Sequence, residues 1–199
     1  MNNLLVCTLS MVAIMGGKES KDPNTMAVEP PAVILSIEKT PKLSAKLKAQ
    51  KTIDGQLRLI YERFEPMLDR SDSLTGTDTN QSGIRDDIEA FIDALEVSES
   101  VRNALKQNAR FTQENLYHDF SQKTDENIRK ALDISYKFDK VLACEEFVGI
   151  DIDDIINTSN TITALTYNTK ARTMAYLAYN HLLDGSVSTL LAAEEQYCE

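Results

Sequence analysis

The sequence predicts an all-α fold, a single-domain bundle of five or six helices over residues 39–199. Three observations predict it. Beyond Thr40, apolar residues recur three and four apart, and no stretch alternates with period two except a short apolar strap at Ala32–Ile37. The seven glycines and five prolines fall mostly before Ser36 or at segment breaks, which leaves helix interiors intact. Most periodic stretches open with a Thr, Ser or Asp able to cap a helix. With 42% apolar residues among 199, the chain can bury a core without staples.

Residues 1–17, MNNLLVCTLSMVAIMGG, are apolar, uncharged and closed by two glycines. Leu4–Met15 is too short to span a bilayer but suits the core of an export leader, with Gly16-Gly17 as the small residues at a cleavage site. Its start carries no basic side chain. A buried N-terminal helix is the alternative. Residues 18–38 form a charged, proline-bearing tether followed by the apolar strap.

Thr40 with Pro41 starts a helix whose core face is Leu43, Leu47, Ile53, Leu57, Ile60 and Phe64, ended by Pro66. Gly55 weakens its middle by roughly 1 kcal/mol relative to alanine. Arg70–Gly83, RSDSLTGTDTNQSG, reads as an exposed loop. A second helix carries Ile84, Ile88, Phe91, Ile92 and Leu95, with Ser82 as its cap. Ser98 or Ser100 starts a third, with Val101, Leu105, Phe111, Leu116 and Phe120. Thr124 caps a fourth, with Ile128, Leu132, Phe138, Val141 and Leu142. The longest helix is expected from about Asp151 to Asp184, with Ile152, Ile155, Ile156, Ile162, Leu165, Met174, Leu177 and Leu182 inward and Gly185 as its stop. An amphipathic turn or two follows from Ser186 to Cys198.

A formal net charge of -10 argues against nucleic acid, whose phosphates need a basic face. Removing the leader leaves two cysteines, Cys144 and Cys198, which either pair in an oxidising compartment or stay as buried thiols. His118 and His181 sit in no nucleophile or metal pattern, and no GxSxG, HExxH or P-loop occurs, so no enzyme is expected. His181 reads as a half-buried packing residue.

The one metal-like motif is Asp78–Glu89, DTNQSGIRDDIE. Asp78, Asn80, Ser82, Asp86 and Glu89 match oxygen-donor positions of a twelve-residue calcium loop, and Gly83 its tight turn. Arg85 stands where that loop wants an apolar residue, and the helix spacing turns Glu89 roughly 200° from a ligating direction. The competing expectation is a polar loop leading into an acidic helix start. No cofactor is expected unless calcium occupies this loop. Asp151, Asp153 and Asp154 read as a helix start matched to the dipole. Lys39, Lys42, Lys46, Lys48 and Lys51 form a basic stretch without acids, suited either to solvent or to an anionic surface.

An apolar leader, a charged tether and a helical body resemble in layout the small surface lipoproteins of spirochaetes and similar bacteria. Gly17 stands where such proteins carry their lipidated cysteine. The resemblance implies a non-enzymatic protein at the cell surface or secreted, touching membrane only through its N-terminus. It also implies capture of a host plasma protein, such as the complement regulator factor H, or plasminogen. The Arg70–Gly83 loop and the Glu114–Thr124 region are the expected contacts, with Arg70, Asp72, Asp78, Asn80, Glu114, His118 and Lys123 as candidates. The alternatives are an intracellular or virion assembly protein, whose N-terminal segment packs into a neighbouring subunit, and a calcium-binding helical module.

Overall fold

A computed structural model of the chain describes residues 35–199. The leader, the tether and the first half of the strap lie outside the described residues. Those residues form seven α-helices and no strands, so the all-α class holds with one helix more than the upper expectation. They are α1 Pro41–Lys48, α2 Ile53–Phe64, α3 Asp86–Ala94, α4 Glu99–Glu114, α5 Asp125–Phe147, α6 Ile152–Thr166 and α7 Lys170–Leu182.

Caps set the boundaries. Thr40, Thr52, Ser98, Thr124 and Thr169 each accept a hydrogen bond from a backbone N–H three residues on. Two of them split helices that apolar spacing alone runs together. Between Leu47 and Ile53 the chain has no apolar residue on the core face, and Thr52 starts α2 afresh. Likewise the long helix expected to Asp184 breaks at residues 167–169, where Thr169 caps α7, so α5 is the longest. Ser82 is not the cap of α3. Arg85 holds that position through its backbone alone, and Asp86 in the first turn reaches back to Thr79 N and Oγ1 at 2.8 and 2.5 Å.

Two apolar clusters fill the bundle. The larger joins Leu43, Leu47, Leu57, Ile60, Ile88, Phe91, Leu105 and Ile162 across α1–α4 and α6. The smaller joins Phe120, Ala131, Ile134, Tyr179 and Leu182 between α5 and α7. α4 lies against α3, α5 and α6 and links the two. Ile152, Ile156, Met174 and Leu177, expected inward, are instead exposed, as is Leu132 on α5. Breaking the long helix explains part of this, since α7 is rotated independently of α6 and buries Tyr179 and Leu182. Residues 186–194 form no helix, and only Glu195–Tyr197 make a turn of 3₁₀ helix, in place of the expected amphipathic end. No helix among the described residues is long and apolar enough to cross a membrane.

Candidate functional site

The loop after α2 is not the loose polar segment its composition implies. Two fully buried arginines hold it. Arg172 on α7 donates to the carbonyls of Asp69 (2.5 Å), Ser73 (2.8 Å) and Leu74 (3.0 Å) and lies 3.4 Å from the Asp69 carboxylate. Arg85 makes two bonds to Asp87, at 2.6 and 3.0 Å, and donates to the last carbonyls of α6, Leu165 and Thr166. Asp87 in turn accepts from Asp69 N at 2.7 Å. Burial pulls the Asp69 carboxyl upward, but hydrogen bonds from Ser71 and the charges of Arg172 and Arg85 outweigh it and hold it at about 2. Gly76, at φ +69, gives way to this network: a Cβ there would lie 2.6 Å from Asp69 Oδ2 and overlap the Arg85 stem.

Anchored this way, the loop presents Leu74 beside the Leu116–Ser121 turn and α7. Together they line a groove of about 460 Å³, with Tyr117, His118 and Phe120 on one wall and Met174 and Ala178 on the other. Leu74, Tyr117 and Met174 stay 36%, 49% and 57% exposed around it. The structure thus brings together the two regions singled out in the sequence, though through other residues than most of those named. Of the candidates only His118 lines the groove, set edge-on to Phe120 at 5.8 Å. Arg70 pairs with Glu65 and lines a separate hollow with Tyr61 and Asn168. Glu114 holds Lys137 at 2.6 Å, while Asp72 and Lys123 are exposed. Met174 carried no motif. Its signal was an apolar residue on the wrong face of a helix, legible only once the helix break was known.

Asp78 and Asn80 belong to a different constellation. The Asp78 carboxylate accepts from Ser82 N (3.0 Å) and Gly83 N (2.9 Å). Asn80 Nδ2 and Ser82 Oγ both donate to Glu89 Oε2, at 2.8 and 3.3 Å. Gln81 and Gly83 have φ of +57 and +81, so the loop curls tightly. Glu89 is therefore not turned away. The segment folds back over the first turn of α3, tied by Asp86 N donating to Thr77 O at 2.8 Å, and meets the face that carries Glu89. Asp86 is occupied with Thr79 instead. Lys106 Nζ sits 2.9 Å from both Glu89 and Asp93. Burial works against the charged Glu89, yet hydrogen bonds from Lys106 and Asn80 keep its carboxyl below the ordinary value. Among the described residues no three His, Cys, Asp or Glu side chains gather as a metal cluster.

The basic stretch is partly neutralised: Lys39 and Lys48 both reach Glu96, at 3.8 and 3.7 Å, a partner remote in sequence. Lys42, Lys46 and Lys51 remain exposed. His181 is exposed rather than half-buried. Asp154 is buried and accepts from Ile53 N and Asp54 N, capping α2 from α6, so the acidic start of α6 is not simply a solvated one. A disulfide joins Cys144 on α5 to Cys198, tying the chain end to the bundle. Beside it Glu145 is fully buried. Burial pushes its carboxyl up to about 7, against a hydrogen bond from Asn108 and with the charge of Asp154 adding to the rise.

No protein-family model, no curated protein and no solved structure matches the chain.

Proposed function

We propose that the protein is an exported, non-enzymatic helical module that binds a protein ligand through the groove bordered by Leu74, Tyr117 and Met174. The observation that supports this reading is the convergence of two loops and α7 on an apolar depression whose rim keeps three large side chains half in water. Such side chains bury little area in the folded chain but suit anchoring contacts to a partner, tyrosine especially. The Leu74 wall is rigidly held by Arg172, so the surface is formed before a ligand arrives. Export draws support from the Cys144–Cys198 disulfide, of a kind favoured outside reducing compartments, and from the leader-like residues 1–17. The layout shared with spirochaete-type surface lipoproteins makes factor H and plasminogen the partners to examine first.

The test is surface plasmon resonance of the full chain over immobilised factor H and plasminogen. Tyr117→Ala is expected to weaken capture at least about tenfold, while Lys42→Ala, remote in the fold on α1, leaves it unchanged. An unmodified chain that binds neither protein removes the plasma-ligand reading and directs the search to intracellular or virion assembly partners.

A second reading, a calcium-binding helical module, is favoured by one specific observation. Asp78, Asn80, Ser82 and Glu89 lie at first, third, fifth and twelfth loop positions and their side chains share hydrogen bonds around one turn. For a cation to use both Glu89 oxygens, Lys106 must withdraw to Asp93. On this reading, calcium at a hundredfold excess over its Kd raises the Tm of the unmodified chain by about 5–10 °C and does not move that of Asp78→Ala. Indifference of the unmodified chain to calcium removes it.

A further inference from the structure

A cavity of about 340 Å³ lies between α4, α5, α6 and α7, and it shares no residue with the groove. Its volume falls in the range of about 300–1,000 Å³ usual for small-molecule sites. Two ring pairs build its walls: Phe111 with Phe138, centroids 5.1 Å apart, and Tyr167 with Tyr176, 4.5 Å apart. Between them stand neutral polar side chains, among them Asn108, Asn115, Ser135 and Ser159. No carboxylate, ammonium or guanidinium is among the residues that line it.

We propose that this cavity is a binding site for an uncharged planar ring compound. The rings offer flat or edge-on contact to a planar guest. A carboxylate or ammonium would surrender its hydration with no counter-charge on the wall. The Tyr167 hydroxyl on the wall gives its one proton to Thr112 O at 2.6 Å. The tyrosine hydroxyl stays neutral, because burial raises its pKa well above the ordinary value.

The probe is benzamide, titrated into the full chain and followed by methyl NMR of Ile134 and Leu183, which line the cavity. Saturable shifts at these methyls are expected in the millimolar range, with none from benzoate or glucose at matched concentration. Ser135→Phe, which fills the cavity from α5, is expected to abolish the benzamide shifts in a folded protein. If that variant does not fold, the benzamide–benzoate comparison on the unmodified chain decides alone. Equal shifts from benzoate, binding of glucose in place of benzamide, or no saturable shift up to the solubility of benzamide would each overturn the proposal.

Discussion

Replacing Arg85 with alanine is expected to lower stability by about 3–5 kcal/mol, read as a fall in the urea midpoint. The side chain is 1% exposed and completes three separate accounts of buried polarity. It neutralises Asp87, itself 2% exposed, through two hydrogen bonds, and it satisfies the Leu165 and Thr166 carbonyls that end α6. Its removal strands a carboxylate in the interior, which costs more than the pair contributed when intact. The accompanying Arg85→Ala/Asp87→Ala double change separates these terms. It removes the stranded charge but leaves the two α6 carbonyls and Asp69 N unpaired. The double variant is therefore expected to be destabilised by less than the sum of the single changes, with a coupling of about 1–3 kcal/mol. Strict additivity would mean that Asp87 is solvated once Arg85 is gone. The loss should also reach the proposed binding groove, because Asp87 positions Asp69 and Asp69 shares Arg172 with its Leu74 wall.

That network also marks the limit of what the sequence could yield. Helix starts were legible because a capping oxygen and the N–H it serves are three residues apart, so Thr40 and Thr124 announced themselves and the third start was narrowed to Ser98 or Ser100, of which Ser98 is the cap. Helix breaks were harder. Thr52 and Thr169 are the same chemistry, but each sits inside a run whose apolar spacing nearly continues through it. The loop from residue 70 to 83 has the composition of a solvated segment, and composition does not encode that a guanidinium ninety-eight residues away, on Arg172, binds the Leu74 carbonyl. Arg85 looked like a flaw in a calcium loop when it was in fact a buried anchor. The groove was half legible: the two contributing loops could be chosen for length and position, but the exposure of Met174 depends on how α7 turns after the break.

Reducing the Cys144–Cys198 bond, or replacing both cysteines with serine, is expected to cost about 4 kcal/mol. The figure follows from the sequence separation of 54 residues, through the loop-closure entropy that the cross-link removes from the unfolded chain. The crosslinked segment holds the last four residues of α5, all of α6 and α7, and the irregular tail up to Cys198; its closing point is what brings residues 195–199 back to α4 and α5. There Gln107 Nε2 donates to Tyr197 O at 2.8 Å, and Arg110 pairs with Glu199. Ser188 Oγ bonds the Asp139 carboxylate at 2.5 Å. Those contacts are few and mostly at the surface, so without the covalent tie the tail should fray while α1–α7 keep their helicity. Thermal unfolding with and without reductant measures the loss, and amide exchange at residues 186–199 locates it. A stabilisation of that size is available only where the thiols are oxidised, so the measurement bears directly on where the protein works. If the reduced chain is as stable as the oxidised one, the bond is dispensable and the strongest structural support for export goes with it. If it loses about 4 kcal/mol, a reducing compartment would leave the fold without a large part of the usual 5–15 kcal/mol of a native domain, and selection for an oxidising one has a physical basis.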